Sequence, residues 1–208
     1  MNWTDNKILL FQDRNTPCKD IFQAVCDELA KYYLDKGFKY ARSRPKLTYK
    51  DNEIKLEIKF FSSASNTPGE WVCFDFFPDF SSVELEKNSY PKPYILGPST
   101  IMTKIGDWKD KKLIITETAF GERINHFDDY SEEPLFRYSN HCNVYGINKE
   151  KFDLLVTFID SKIICWIEKA KTKEGILEVI KNRNSQTNWE LDNSGLKEYA
   201  KRKFDFEF

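Results

Sequence analysis

The 208-residue sequence has almost no net charge, only 2 histidines and no long apolar run. Its 32 basic and 33 acidic side chains leave a formal charge of -1, so no long-range field attracts nucleic acid or an anionic membrane. No apolar stretch approaches the roughly 18 residues that a bilayer-spanning helix needs. The N-terminus also lacks the basic and apolar regions of a signal peptide. We therefore expect a cytoplasmic protein without a membrane partner, and the balanced charge argues against a nucleic-acid partner.

Cysteine and histidine are too scattered to predict a metal centre, a disulfide framework or a catalytic pair. The 5 cysteines contain no CxxC pair, which favours reduced thiols. His126 and the pair His141-Cys142 lack the compact spacing of a zinc site. A catalytic Cys-His pair would need an orienting neighbour, and none can be identified. Cys26 and Cys165 fall on apolar helical stripes and are predicted core residues. The sequence thus predicts no metal and no cofactor.

A strictly alternating stretch marks the centre of a predicted sheet. Apolar residues alternate with charged residues from Ile54 to Phe60, and Asn66-Thr67-Pro68-Gly69 interrupts the pattern. Apolar residues then return at every second position from Val72 to Phe76. This pattern predicts a β-hairpin with one apolar face. The apolar positions are Ile54, Leu56, Ile58, Phe60, Val72, Phe74 and Phe76.

Helical spacing flanks this hairpin on both sides. A first helix is predicted from Thr16-Pro17 to Gly37, because Thr caps, Pro fits the first turn and Gly closes a helix. Further strands are predicted at residues 39–43, 46–50, 82–86 and 113–120. After Asn148 a helical stripe runs to Ile167 with a break near Asp160-Ser161, and further helices follow Thr172 and pass through Tyr199. The order predicts one α+β domain over residues 1–208, with a single antiparallel β-sheet and N-terminal and C-terminal helices packed on one face.

Glu57-Ile58-Lys59 is the string most typical of an enzyme. Restriction-type nucleases place a carboxylate and a lysine two apart on a strand, so that both side chains leave the same face toward metal and phosphate. Such a site needs a further acidic residue, for which Asp51 or Asp35 is available upstream. Pro78-Asp79 comes after the string, in the opposite order. The same residues also fit the solvated face of an amphipathic strand, so catalysis is an alternative and no catalytic residue is assigned.

The segment from Lys36 to Lys50 is basic and contains interleaved aromatic residues. That composition is typical of single-strand nucleic-acid binding. Alternation along strands would instead place the aromatic residues inside and the basic residues in solvent. Both interpretations stay open for Lys36, Lys39, Arg42, Arg44, Lys46 and Lys50, with Phe38, Tyr40 and Tyr49.

An acidic segment with aromatic anchors favours a protein-binding surface. Four carboxylates occur within eight residues, from His126 to Glu133, without core periodicity. Aromatic side chains surrounded by negative charges are suited to binding a partner with a basic surface. Irregular segments also often carry function. The predicted partner surface consists of Phe127, Asp128, Asp129, Tyr130, Glu132, Glu133, Phe136 and Tyr138.

Two stretches are similar to a known family. Phe158-Ile159-Asp160 through Thr172-Lys173-Glu174-Gly175, and a first helix ending in Gly37-Phe38-Lys39, resemble a bacterial family of small α+β proteins known only as a domain of unknown function. Such families include proteins encoded beside toxins. The resemblance implies an immunity-like role and carries over no site residues.

Taken together, the sequence predicts a non-enzymatic protein-binding protein, a bacterial or phage immunity or inhibitor protein that neutralises a toxin or effector. The alternatives are a metal-dependent nuclease using Glu57 and Lys59, and a nucleic-acid-binding module using the basic segment Lys36 to Lys50.

Overall fold

The molecule, described here by a computed structural model, is built on an antiparallel sheet of 6 strands. The structure describes residues 6–88, 94–96, 114–125, 135–138, 141–178 and 194–207. The strands are β1 (Lys39–Ala41), β2 (Lys46–Lys50), β3 (Ile54–Phe61), β4 (Cys73–Ser82), β5 (Tyr94–Leu96), β6 (Ile114–Glu117), β7 (Arg123–Asn125), β8 (Leu135–Tyr138) and β9 (His141–Asn143). The helices are α1 (Lys7–Leu10), α2 (Cys18–Leu34), α3 (Val83–Asn88), α4 (Lys149–Ile159), α5 (Cys165–Lys169), α6 (described over 173–178) and α7 (Ser194–Phe204).

The large sheet has the order β1-β2-β3-β4-β5, and β9 pairs with the start of β4. The β3–β4 hairpin is its centre, with register from Ile54 opposite Ser82 to Phe61 opposite Asp75. The inward side chains of the hairpin share one buried cluster with residues of α2, α4 and α7. Phe74, Phe76 and Leu56 are fully buried there, which confirms the α+β class and the apolar face of the hairpin.

The first predicted helix corresponds to α2 and follows the predicted pattern with one change at its start. Pro17 occupies the N-cap position and the helix begins at Cys18, whereas the Thr16 hydroxyl bonds to Asp13 instead of capping. At the other end Gly37 takes φ +83°, the left-handed conformation that a residue with a Cβ rarely adopts. That turn directs the chain from α2 into β1.

The predicted strand at residues 82–86 is wrong, because β4 continues to Ser82 and α3 follows. Pro78 lies inside β4, where proline removes a ladder hydrogen bond. β9 contacts β4 only at Cys73 to Asp75, and β5 contacts it only at Phe80 and Ser81. Among the described strands, Pro78 therefore pairs with β3 alone, because β9 and β5 both contact other parts of β4.

The predicted break after α4 is a π-helical turn at Asp160–Ile164. Asn148 caps α4 by accepting from the Lys151 amide at 2.9 Å, and Thr172 accepts from the Gly175 amide at 3.1 Å. Both predicted caps are confirmed.

A second sheet of 3 strands, β7-β6-β8, was not predicted. β6 pairs antiparallel with β7 and parallel with β8. Within the described ranges, no helix combines the length and apolarity required to cross a bilayer.

Candidate functional site

The face of the large sheet that points away from the core is called here the polar face. It carries lysine, carboxylate, thiol and imidazole side chains. Strand alternation places them there because their neighbours on each strand face the core. The polar face includes Lys39, Lys46, Lys50, Lys55, Glu57, Lys59, Phe61, Cys73, Asp75, Phe77, Asp79 and His141.

Glu57 lies directly opposite Asp79 on the neighbouring strand. Lys59 donates a hydrogen bond to Asp79, whose side chain is only 6% exposed. The structure thus places Asp79, and not an upstream carboxylate, beside the Glu57-Lys59 string. Asp79 was not predicted for this role because it follows Glu57 and Lys59 in the sequence. In an antiparallel hairpin, however, the two strands lie side by side whichever comes first in the chain.

The upstream carboxylates considered for that role have other partners or positions. Asp51 accepts hydrogen bonds from the Glu53 and Ile54 amides at 2.8 and 2.7 Å and pairs with Lys171. Asp35 follows α2 at its C-cap. Neither residue is among those of the polar face.

Lysines surround both carboxylates of the Glu57–Asp79 pair. Lys46 Nζ lies 2.7 Å from Glu57 Oε1, and Lys55 Nζ lies 3.7 Å from Glu57 Oε2. Burial raises the pKa of Glu57, but the hydrogen bond from Lys46 and the charge of Lys55 outweigh burial and lower that pKa. Two carboxylates facing three lysines carry a net positive charge, which disfavours a divalent cation and suits an anion.

A second cluster lies toward the other end of the polar face, where Cys73, Asp75 and His141 converge. Cys73 and Asp75 are two apart on β4, and His141 lies opposite Asp75 on β9. Cys73 Sγ is 3.4 Å from Asp75 Oδ2 and 3.6 Å from His141 Nδ1. His141 Nδ1 is 2.6 Å from Asp75 Oδ1. Among the described residues this is the group of three whose donor atoms could hold a metal ion.

This cluster is poorly arranged for nucleophilic catalysis. Burial and the charge of Asp75 raise the pKa of the Cys73 thiol to about 11, so at neutral pH the thiolate is scarce. A catalytic triad orients its histidine through one ring nitrogen and uses the other on the nucleophile. Here the same atom, Nδ1 of His141, faces both Asp75 and Cys73.

Aromatic side chains frame the Cys73–Asp75–His141 cluster. Trp71 stacks on the His141 ring with centroids 5.7 Å apart. Phe61, opposite Asp75 on β3, meets Phe77 edge to face at 5.2 Å. Phe61 is 49% exposed and Trp71 39% exposed. This end of the polar face therefore presents aromatic surface to solvent.

Hydrogen bonds between two asparagine side chains and the backbone fix the loop that carries Trp71. Asn143 of β9 accepts from the Val72 amide at 2.9 Å and donates to the Glu70 carbonyl at 3.0 Å. Asn66 accepts from the Cys73 amide at 2.8 Å. These bonds hold the entry of β4 against β9, so Cys73 and His141 keep their relative positions.

The basic segment Lys36 to Lys50 divides between the two sides of the sheet. Phe38 is buried and Tyr40 and Tyr49 pack against the core, which is the solvated-strand arrangement. Lys36 bonds to Asp160 at 3.0 Å and Arg42 to Asp27. Lys39, Lys46 and Lys50 are left on the polar face, beside Lys55 and Lys59.

The predicted partner surface falls largely outside the described residues. Phe127, Asp128, Asp129, Tyr130, Glu132 and Glu133 lie outside them, as does His126. Phe136 and Tyr138 belong to β8. Cys26 is a buried core residue as predicted, whereas Cys165 is partly exposed.

No protein family, no curated protein and no solved structure matches this chain. The resemblance to a bacterial domain of unknown function therefore stays a prediction.

Proposed function

We propose that this protein binds single-stranded nucleic acid on the polar face of the large sheet. The observation that carries the proposal is that exposed aromatic rings and lysines share that face. Non-specific single-strand binding uses aromatic rings as stacking platforms for bases and basic groups for the backbone. The polar face offers both on one rigid antiparallel sheet.

The charge of the polar face differs from the charge of the whole chain. Among the described residues, five lysines and three carboxylates lie there, although the chain has a net charge of -1. Lys39 and Lys50 are exposed at the β1–β2 side. A chain with almost no net charge thus carries a locally positive surface, where phosphates can displace counterions.

Phe61 and Trp71 favour nucleic acid over an acidic protein as the ligand. Protein interfaces are enriched in aromatic residues but depleted in lysine. Nucleic acid accounts for both features, because bases stack on the rings while phosphates meet the lysines. The ring of Phe77 contacts the Phe61 ring edge to face and so restricts the orientation of Phe61 before a ligand binds.

Fluorescence anisotropy with labelled single-stranded DNA and RNA oligonucleotides tests this function. Phe61→Ala and Trp71→Ala should each weaken binding by about 1–3 kcal/mol. Phe11→Ala serves as the matched control, because Phe11 is a 77% exposed aromatic residue at the C-cap of α1 and is not part of the polar face. Equal affinity of the face variants and the control would overturn the assignment.

The salt dependence of binding provides an independent test. The double variant Lys39→Gln/Lys50→Gln should lower the slope of log affinity against log salt by about 1.4, since each single-strand phosphate contact contributes about 0.7. Lys149→Gln/Lys197→Gln, on helices α4 and α7, should leave the slope unchanged. Absent binding at low salt would also reject the proposal.

A second candidate function is binding of a partner protein by the acidic segment, as an immunity or inhibitor protein. The position of its ends supports this candidate. β7 ends at Asn125 and β8 begins at Leu135, and both strands flank β6 in the small sheet. The residues that flank 126–134, Asn125 and Leu135, thus belong to two strands of one sheet.

A further inference from the structure

We propose that Cys73, Asp75 and His141 form a Zn²⁺ site with three protein ligands. The inference is independent of nucleic-acid binding, because it rests on the donor atoms of these three side chains. A thiolate, a carboxylate and an imidazole are all zinc ligands. Magnesium and calcium prefer oxygen ligands alone, so the donor set selects a borderline-soft transition metal.

The distances between donor atoms match a tetrahedral zinc ion. With bonds of about 2.3 Å to sulfur and about 2.0–2.1 Å to nitrogen and oxygen, ligand atoms lie about 3.3–3.6 Å apart. The Cys73 sulfur is 3.6 Å from His141 Nδ1 and 3.4 Å from an Asp75 oxygen. The contact of 2.6 Å between His141 Nδ1 and Asp75 involves the other carboxylate oxygen, Oδ1, so this contact must open when Oδ2 ligates the metal.

The fold holds the ligands in place before any metal arrives. Cys73 and Asp75 leave one face of β4, and His141 faces them from the paired strand β9. The Trp71 ring stacks on His141 and restricts the orientation of the imidazole. Such pre-organisation lowers the entropic cost of collecting three ligands at one point.

Among the described residues no fourth side chain joins this set, so the site has a position for a ligand from solution. Three protein ligands with an open position are the arrangement of catalytic zinc, whereas structural zinc has four. The His141 side chain is 48% exposed, so the metal would lie at the surface of the polar face. Binding converts the Cys73 thiol to a thiolate and releases its proton to solvent. No electron transfer is involved.

Sequence spacing gave no signal for this site. Cys142 is the cysteine adjacent to His141 in the sequence, but strand alternation directs Cys142 into the core. The actual cysteine, Cys73, is 68 residues away and reaches His141 only through the β4–β9 register. That register could not be read from the chain.

Zinc titration of untagged, chelator-treated protein tests the site. Isothermal calorimetry and metal analysis after dialysis should give one Zn²⁺ per chain, with no competition from Mg²⁺. Cys73→Ser and His141→Gln should each weaken zinc binding at least tenfold, and Asp75→Asn should weaken it as well. Cys165→Ser is the matched control and should bind as the wild type does.

Co²⁺ provides a second readout that depends on the ligands themselves. Wild-type protein should show a sulfur-to-cobalt charge-transfer band, and Cys73→Ser should lack it. Circular dichroism confirms that each variant is folded. Equal zinc affinity in wild type, Cys73→Ser and His141→Gln would overturn the proposal. Absence of zinc binding at micromolar metal would show that the three residues form only a hydrogen-bonded group.

Discussion

Lys59 of β3 donates a hydrogen bond to the almost buried carboxylate of Asp79 on β4. Removing a lysine from such a pair leaves a buried charge without its partner, which costs more than removing the whole pair. We expect Lys59→Met to lower the free energy of unfolding by about 2–4 kcal/mol. Urea unfolding followed by circular dichroism measures this loss.

The matched variants are Asp79→Asn and the double variant. Asn carries no charge, so Asp79→Asn should cost less than Lys59→Met, and the double variant should recover part of the stability lost in Lys59→Met. Strictly additive effects would contradict a direct coupling between Lys59 and Asp79.

Glu57 and Asp79 provide a direct test of the nuclease alternative. Because three lysines neutralise these carboxylates, we expect no cleavage of single-stranded or double-stranded DNA or RNA with Mg²⁺ or Mn²⁺. Gel assays with wild type, Glu57→Gln and Asp79→Asn decide the matter. Metal-dependent cleavage by wild type that both variants abolish would establish a nuclease and refute our expectation.

The ionisation of Asp51 should make the free energy of unfolding depend on pH. Although burial raises its pKa, the Ile54 and Glu53 amides and Lys171 lower it to about 2. A folded pKa below the unfolded value of about 3.9 stabilises the protein above pH 4, and that contribution disappears as pH falls toward 2. After allowance for solvent screening, we expect a contribution of about 1–2 kcal/mol.

Urea unfolding at pH 7, 4 and 2.5 measures this contribution. Asp51→Asn keeps an acceptor for the two amides but removes the charge, so its stability should fall less between pH 4 and 2.5 than that of wild type. Asp51→Ala should be the less stable variant at pH 7, because the amides lose their acceptor. An unchanged pH profile in Asp51→Asn would contradict the assignment.

The acidic segment is tested by charge reversal. Replacing Asp128, Asp129, Glu132 and Glu133 with lysine should abolish capture of a basic protein partner and leave the thermal unfolding midpoint within a few degrees of wild type. Affinity capture from the native host, followed by binding measurements with the partner obtained, checks this expectation. Unchanged affinity for that partner would place its binding surface elsewhere.

Local patterns predicted much of the fold. Alternation at Ile54 to Phe60 gave β3, the spacing from Ile21 to Tyr33 gave α2, and Asn148 gave the start of α4. In each case the signal lies within one element and reflects its own periodicity or capping. The helix α3 was missed because Val83 and Leu85, spaced two apart, match a strand period.

The candidate sites required tertiary information. Glu57 and Asp79 meet through hairpin register, and Cys73 and His141 meet through the pairing of β4 with β9. Register between strands is set by packing and turn geometry, which a single sequence does not display. Phe61 and Trp71 were likewise not recognised as exposed, because an aromatic residue on a strand is more often buried.

The pairing of β9 with β4 also determines when the zinc ligands can meet during folding. β1 to β4 follow one another closely along the chain, whereas Asp75 and His141 are 66 residues apart. Closing that longer loop costs about 1–1.5 kcal/mol more entropy than closing the β3–β4 hairpin. We therefore expect β9 to join a sheet that has already formed. Zinc would then slow unfolding without accelerating folding, and stopped-flow kinetics with and without zinc would measure both rates.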